Sequence, residues 1–301
     1  MLAARAFEPD FLRRLDGLMM QARRTRAPRA GRRIIGRAQG SGIELEDFRE
    51  YAPGDDLRFL DWNALARLDD LKVRTFRPER QIEITVMVDA SASMALPAAD
   101  DKLGFALTLG AGLAYIAMSE NDPVRIAVFS GHGGKARFES TPFFRRRESY
   151  GEFHAFFDTV RCGGETRLAA ATAHLLGQRR PPGVAIIVSD FLVGPNDYET
   201  ALGDLLAAHY EVKAVHVMGD RESAVDYPPG SYRVRDCETG VMRDVSFGPR
   251  EAEACRRRIA AHADALADFC KRRGVMYARA FGASRLDDIV AREFPRLGVI
   301  A

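Results

Sequence analysis

The amino-acid sequence predicts an α/β protein built on a mostly parallel, doubly wound sheet. Two observations carry that prediction. Apolar, β-branched runs (ITVMVD, VRIAVFS, VAIIVSD and VKAVHVM) recur along the chain, and they are continuous rather than alternating, as strands covered on both faces must be. Helix-length segments separate them, which is the alternation that parallel strands with crossover connections require. With 301 residues, the chain is long enough to bury a full core in one large α/β domain with an added subdomain, or in two modest domains.

Three regions follow in order. Residues 1–35 read as a basic helix and arm: FLRRLDGLMMQARR predicts a short amphipathic helix, and arginines continue through Arg37 in a stretch fading into Gly and Pro. Such a run is either a solvated face or a docking surface for an acidic partner, a membrane or nucleic acid. It lacks the interleaved aromatic residues that stack on bases, so nucleic acid is the minor option. Residues 36–80 form a polar segment expected to pack on the main domain. It contains a tight turn at Pro53-Gly54-Asp55-Asp56, a short helical stretch opened by Asp61-Trp62-Asn63, and a strand at LKVRTF.

Residues 81–301 hold the regular pattern. Helices are predicted near 100–120, 150–160, 167–179 and 197–209, with the four apolar strands between them. YRVRDCETGVMRDVSF, near 231–247, reads as an inserted β-hairpin around Glu-Thr-Gly. A long helix over 249–273 then ends at Gly274, followed by the strand VMYARAF and a short terminal helix.

Composition narrows the function classes. The chain is 47% hydrophobic and 29% charged with a formal net charge of +2, so no global attraction to nucleic acid is expected. The four cysteines, at 162, 237, 255 and 270, form no CxxC pair and no zinc spacing with the histidines, which predicts free thiols. No stretch reaches the roughly 20 apolar residues of a bilayer span and no secretory leader is evident; a cytoplasmic setting is the expectation.

The candidate chemistry lies in three loops. MVDASASM places Asp89 at the end of an apolar strand with Ser91 and Ser93 on the loop after it. GGETRL offers Thr166 in a glycine-rich loop before a helix, and IIVSDF offers Asp190 directly after another buried strand. Loops at the carboxyl ends of parallel strands line the ligand crevice of such sheets. Two carboxylates and three hydroxyls are all hard oxygen donors, which suits Mg2+, or Mn2+ or Ca2+, and not zinc or copper. Any one loop is also explained by strand-end and helix capping; the three together point to a cation.

Two stretches carry a family resemblance. GSGIELEDFREYAPGDDLRFLDWNALAR is similar to the N-terminal signature of the bacterial domain-of-unknown-function 58 (DUF58) family, and the VDASASM, Thr166, Asp190 series resembles a metal-ion-dependent adhesion site of the von Willebrand factor A type. The resemblance implies a von Willebrand factor A (Rossmann-like) fold, metal-dependent binding of an acidic residue of a partner, and partnership with a MoxR-type AAA+ ATPase. Where relatives carry Gly-Gly-Thr, this chain has Gly-Gly-Glu-Thr, leaving Thr166 or a register one residue different as the second-loop ligand.

Arg49, Asp55, Asp56, Arg58, Asp61 and Arg67 alternate in sign within the signature segment. They read as an ion-pair network pinning it to the sheet domain, or as an ATPase-docking face, with Trp62 as a core anchor. The six histidines show no spacing that pairs them with a nucleophile or a metal. Gly133-Gly134-Lys135 lacks the remainder of a phosphate-binding loop. The leading expectation is therefore a non-enzymatic, metal-dependent protein-interaction module. The alternatives are a magnesium-dependent hydrolase or phosphatase using Asp89 as nucleophile, and a binder of nucleic acid or acidic surfaces through the arginines.

Overall fold

The computed structural model describes residues 2–25, 44–53, 56, 60, 62, 71–77, 82–132, 135–281 and 292. The chain divides into two compact units, one formed by residues 1–35 with 82–301 and the other by residues 36–81.

The larger unit is a six-stranded sheet. Its strands are β3 (Ile84–Asp89), β4 (Val124–His132), β5 (Lys135–Ser140), β6 (Val184–Ser189), β7 (Glu211–Met218) and β10 (Met276–Phe281), in the spatial order β10-β7-β6-β3-β4-β5. All neighbours pair in parallel except the β4–β5 edge, which is antiparallel. This is the predicted mostly parallel, doubly wound α/β sheet, and β3 and β6 are buried at every residue. The edge strand KARFES is mostly exposed, so it has no continuous apolar run and its sequence carries little strand signal.

One face of the sheet is covered by α2 (Lys102–Ser119), buried from Gly104 through Met118 together with its first residue, Lys102. With the 3-10 turn before it, this is the one helix among the described residues long and apolar enough to cross a membrane; 89% of its apolar window is buried inside the fold. The opposite face is covered by α4 (Leu168–Gly177), α5 (Pro195–Ala207) and α7 (Pro249–Arg273), which share a second core with β6 and β7 residues through Leu168, Leu202, Leu205, Leu266 and Phe269. Helix α7 spans the predicted 249–273 and is closed by Gly274. The short α3 (Glu152–Thr159) packs on the first face through Phe153 and Phe157.

The N-terminal segment is part of this core. Helix α1 (Pro9–Thr25) buries Phe11, Leu15 and Met19, a four-residue spacing that puts all three on one stripe. The preceding turn buries Ala6, whose carbonyl accepts a hydrogen bond from Tyr150 Oη at 3.0 Å. Asp16 of α1 accepts from Arg147 Nη2 at 2.9 Å and from Tyr115 Oη at 3.1 Å. The predicted arginine-rich arm after α1 lies outside the described residues, as does the predicted terminal helix, apart from a helical Arg292.

The predicted hairpin is present as β8 (Gly230–Arg235) and β9 (Met242–Phe247), an isolated antiparallel pair. The five-residue α6 (Asp220–Ala224) precedes it.

The smaller unit is an antiparallel ribbon of β1 (Glu44–Glu50) and β2 (Lys72–Arg77), with Leu60 bridging to Val73 and both of these buried. Trp62 is 61% exposed, which corrects its reading as a core anchor: a two-stranded ribbon has too little interior to enclose an indole. Of the predicted ion-pair network, Arg49 sits on β1 opposite Val73 and Asp56 is exposed; Asp55, Arg58, Asp61 and Arg67 lie outside the described residues.

Candidate metal centre

The three predicted loops meet at the carboxyl end of the sheet. Because β3 and β6 are adjacent parallel strands, their terminal residues emerge side by side. Asp89 is fully buried; its Oδ1 accepts from the Ser91 amide at 2.9 Å and its Oδ2 from Ser189 Oγ at 2.6 Å. The first bond folds the loop back on itself and brings Ser91 Oγ to 3.0 Å from Ser93 Oγ. The Thr166 loop is stitched to the same loop by two backbone bonds, Gly163 N to Ala90 O and Ala92 N to Gly164 O, both 2.9 Å. Gly164 makes this possible at φ 76°, a left-handed conformation that side chains resist. Thr166 itself is buried.

Asp190 is 1% exposed, and its Oδ2 accepts from the ammonium of Lys102 at 2.9 Å. Lys102, at the first turn of α2, also contacts Glu222 of α6 at 2.9 Å. Glu222 is held in place because Asp100 accepts the Arg221 and Glu222 amides at 3.2 and 3.1 Å. Gly219, just before α6, is needed there: a Cβ would stand 1.9 Å from Asp100 Oδ2. Burial depresses the Lys102 ammonium, but Asp190 and Glu222 outweigh it and raise its pKa above the ordinary lysine value.

Among the described residues no basic side chain pairs with Asp89. Burial, and secondarily the nearby Asp190 charge, push its carboxyl up to about 7 despite the hydrogen bonds from Ser189 and Ser91. A buried carboxylate without a counter-charge calls for one when ionised. The donor set fits a hard divalent ion. Ligand oxygens at about 2.1 Å from an octahedral Mg2+ stand about 3 Å apart when adjacent, and the two serine oxygens are already at 3.0 Å. No cluster of three or more His, Cys, Asp or Glu able to hold a metal exists among the described residues; Asp89, Ser91, Ser93, Thr166 and Asp190 fit a cation only as two carboxylates supplemented by hydroxyls.

Several participants carry little sequence signal. Ser189 orients Asp89 from the neighbouring strand, and its Oγ also accepts the Phe191 amide at 2.9 Å. Glu238, at the tip of the β8–β9 hairpin, accepts from Thr166 Oγ1 at 2.9 Å and from Thr166 N at 3.2 Å. His216 is buried behind Asp190, with Nδ1 2.8 Å from Tyr277 Oη, and burial pushes its pKa down to about 4. Lys102 alone leaves a trace, as a lone charge opening an otherwise apolar helix. All four cysteines are free; burial, reinforced by Asp89, raises the Cys162 thiol to about 12, so it is no thiolate ligand at neutral pH.

Comparison with known proteins places the chain. It is 30% identical over 230 residues, 76% of this chain and 71% of the relative, to the uncharacterized protein Rv1480 of Mycobacterium tuberculosis. Among solved structures it is similar to the conserved hypothetical protein BatB from Bacteroides thetaiotaomicron (TM-score 0.41, 15% identity, 72% of this chain and 98% of that one). It is also similar to the manganese-loaded TRAP protein of Plasmodium vivax (TM-score 0.34, 13% identity, 72% and 73%). The family described as protein of unknown function DUF58 matches residues 47–267, more than half of the sequence, and the chain belongs to that family.

Proposed function

We propose that this chain is a metal-ion-dependent protein-interaction module, working as an adaptor or co-chaperone partner of a MoxR-type AAA+ ATPase. The observation that carries the metal half is Asp89: a fully buried carboxylate with no basic partner among the described residues, followed on its loop by two serine hydroxyls at ligand spacing. A bound Mg2+, Mn2+ or Ca2+ would supply an electrophilic centre for a partner's carboxylate. The chain's own residues would do the rest. Asp89 would balance the ion's charge, Ser91, Ser93 and Thr166 would offer neutral oxygens, and Asp190 would act from the adjacent strand while Lys102 fixes its orientation. The ATPase half rests on the family resemblance alone.

A binding role, not turnover, is favoured by the surroundings of Asp89. The residue two positions on is Ser91, not a second acid that could protonate a leaving group, and the buried Lys102 is held between two carboxylates. The free thiols are compatible with a cytoplasmic setting.

The test is binding of the purified chain to a MoxR-type ATPase in Mg2+ or in EDTA, for wild type and Asp89→Ala. Binding that needs Mg2+ and vanishes in the variant supports the reading. Undiminished binding by folded Asp89→Ala sinks the metal-dependent mechanism, and no binding in either condition sinks the partnership.

A further inference from the structure

The β8–β9 hairpin is exposed on both faces: among residues 230–247 only Glu238, Gly240 and Phe247 are half-buried, and none is buried. Its tip nevertheless has a defined shape. Asp236 Oδ1 accepts the amides of Glu238 and Thr239 at 3.0 and 2.7 Å, and the Asp236 carbonyl accepts the Gly240 amide at 2.9 Å. That turn points one side chain, Glu238, inward onto Thr166. Both carboxylate oxygens are used, one on the Thr166 hydroxyl and one on its amide. A hydroxyl that donates its proton to Glu238 keeps its oxygen lone pairs free, and the loop that carries it is bonded to the Asp89–Ser93 loop at Gly163 and Gly164.

The charge count leads the same way. Asp190 already serves Lys102 through Oδ2 and the Leu192 amide through Oδ1, so it does not offer a divalent ion its full charge. Glu238 has no basic partner among the described residues.

We propose that Glu238 is a positioning residue of the cation site, a carboxylate carried in by the hairpin that holds Thr166 and so orients its hydroxyl oxygen as a ligand. This rests on the cation reading of Asp89, Ser91, Ser93, Thr166 and Asp190. Its consequence is that the cation and the hairpin tip are coupled through Thr166.

The experiment is Mn2+ titration with amide hydrogen exchange on the full chain, as wild type, Glu238→Ala and Glu238→Gln, with urea midpoints confirming that both variants fold. In wild type, Mn2+ is expected to slow exchange at 236–240 together with 163–167. Glu238→Ala is expected to lose the slowing at 236–240 and to weaken Mn2+ binding about ten- to a hundredfold, the range for residues that orient metal ligands; Glu238→Gln falls between. Wild-type Mn2+ affinity in Glu238→Ala, with exchange at the wild-type tip unchanged or faster on adding Mn2+, overturns this assignment and leaves the cation reading standing. No saturable Mn2+ binding in any of the three overturns both.

Discussion

Lys102 Nζ lies 2.9 Å from Asp190 Oδ2, with both side chains 1% exposed, and Glu222 completes the group at 2.9 Å on the other side. This triad, buried at Lys102 and Asp190 and half-buried at Glu222, joins the start of α2, the end of β6 and α6. It fixes the carboxylate that borders the candidate metal centre.

Lys102→Met should therefore destabilise the fold by about 3–5 kcal/mol, because removing it leaves the buried Asp190 carboxylate without a counter-charge. Urea denaturation measures it. A loss below about 1 kcal/mol would mean that Asp190 and Glu222 are not held as ions by Lys102.

The N-terminal helix is the second case. Leu15 is fully buried in the same core as Phe105, Leu109 and Tyr115, so Leu15→Ala should cost about 2–5 kcal/mol. Deleting residues 1–25 should be worse, whereas a detachable basic arm would be removed with little change in the urea midpoint.

The pH dependence of stability without added metal has two opposed parts. Asp89 is raised from 3.8 to about 7 on folding, so the native state holds the extra proton and stability falls as pH rises through that window. His216 is lowered from 6.5 to about 4, so its contribution is complete above pH 6.5 and is lost as pH falls toward 4. Between pH 4 and 6.5 the two slopes oppose one another. Asp89→Asn should remove the first and leave stability rising with pH over that interval, and it should make the metal-free protein more stable than wild type at pH 8. Urea midpoints at pH 5 and 8 for both proteins decide this; a variant less stable than wild type at pH 8 would show that Asp89 is not an uncompensated charge.

Thiol reactivity should split in two. Cys237 and Cys255 are exposed, whereas Cys162 is half-buried and Cys270 buried, and burial raises both of the latter to about 12. Native labelling with a maleimide at pH 7 should modify two thiols quickly and the other two only after denaturation. Four equal rates would contradict the packing around α7 and the Thr166 loop.

The main sheet and three loops of the site were legible in the sequence for a common reason. Strands buried on both faces, such as β3 and β6, must be continuous apolar runs, and the residue ending each run marks the carboxyl edge where Asp89 and Asp190 stand. The partners of those residues were not legible, because their contacts are non-local: Lys102 meets Asp190 across 88 residues, Glu222 across 120, and Thr166 meets Glu238 across 72. The edge strand β5 and the five-residue α6 are too exposed or too short to carry a period. Trp62 was misread because side-chain size predicts burial only where the surrounding unit has an interior to offer.

The most direct test of the central claim is calorimetric titration of the purified chain with Mn2+ and Mg2+, beside Asp89→Ala. The account predicts saturable binding near one ion per chain that disappears in the variant while its fold persists. Equal heats from the two proteins, or none from wild type at millimolar metal, would contradict a cation centre at Asp89, Ser91, Ser93, Thr166 and Asp190.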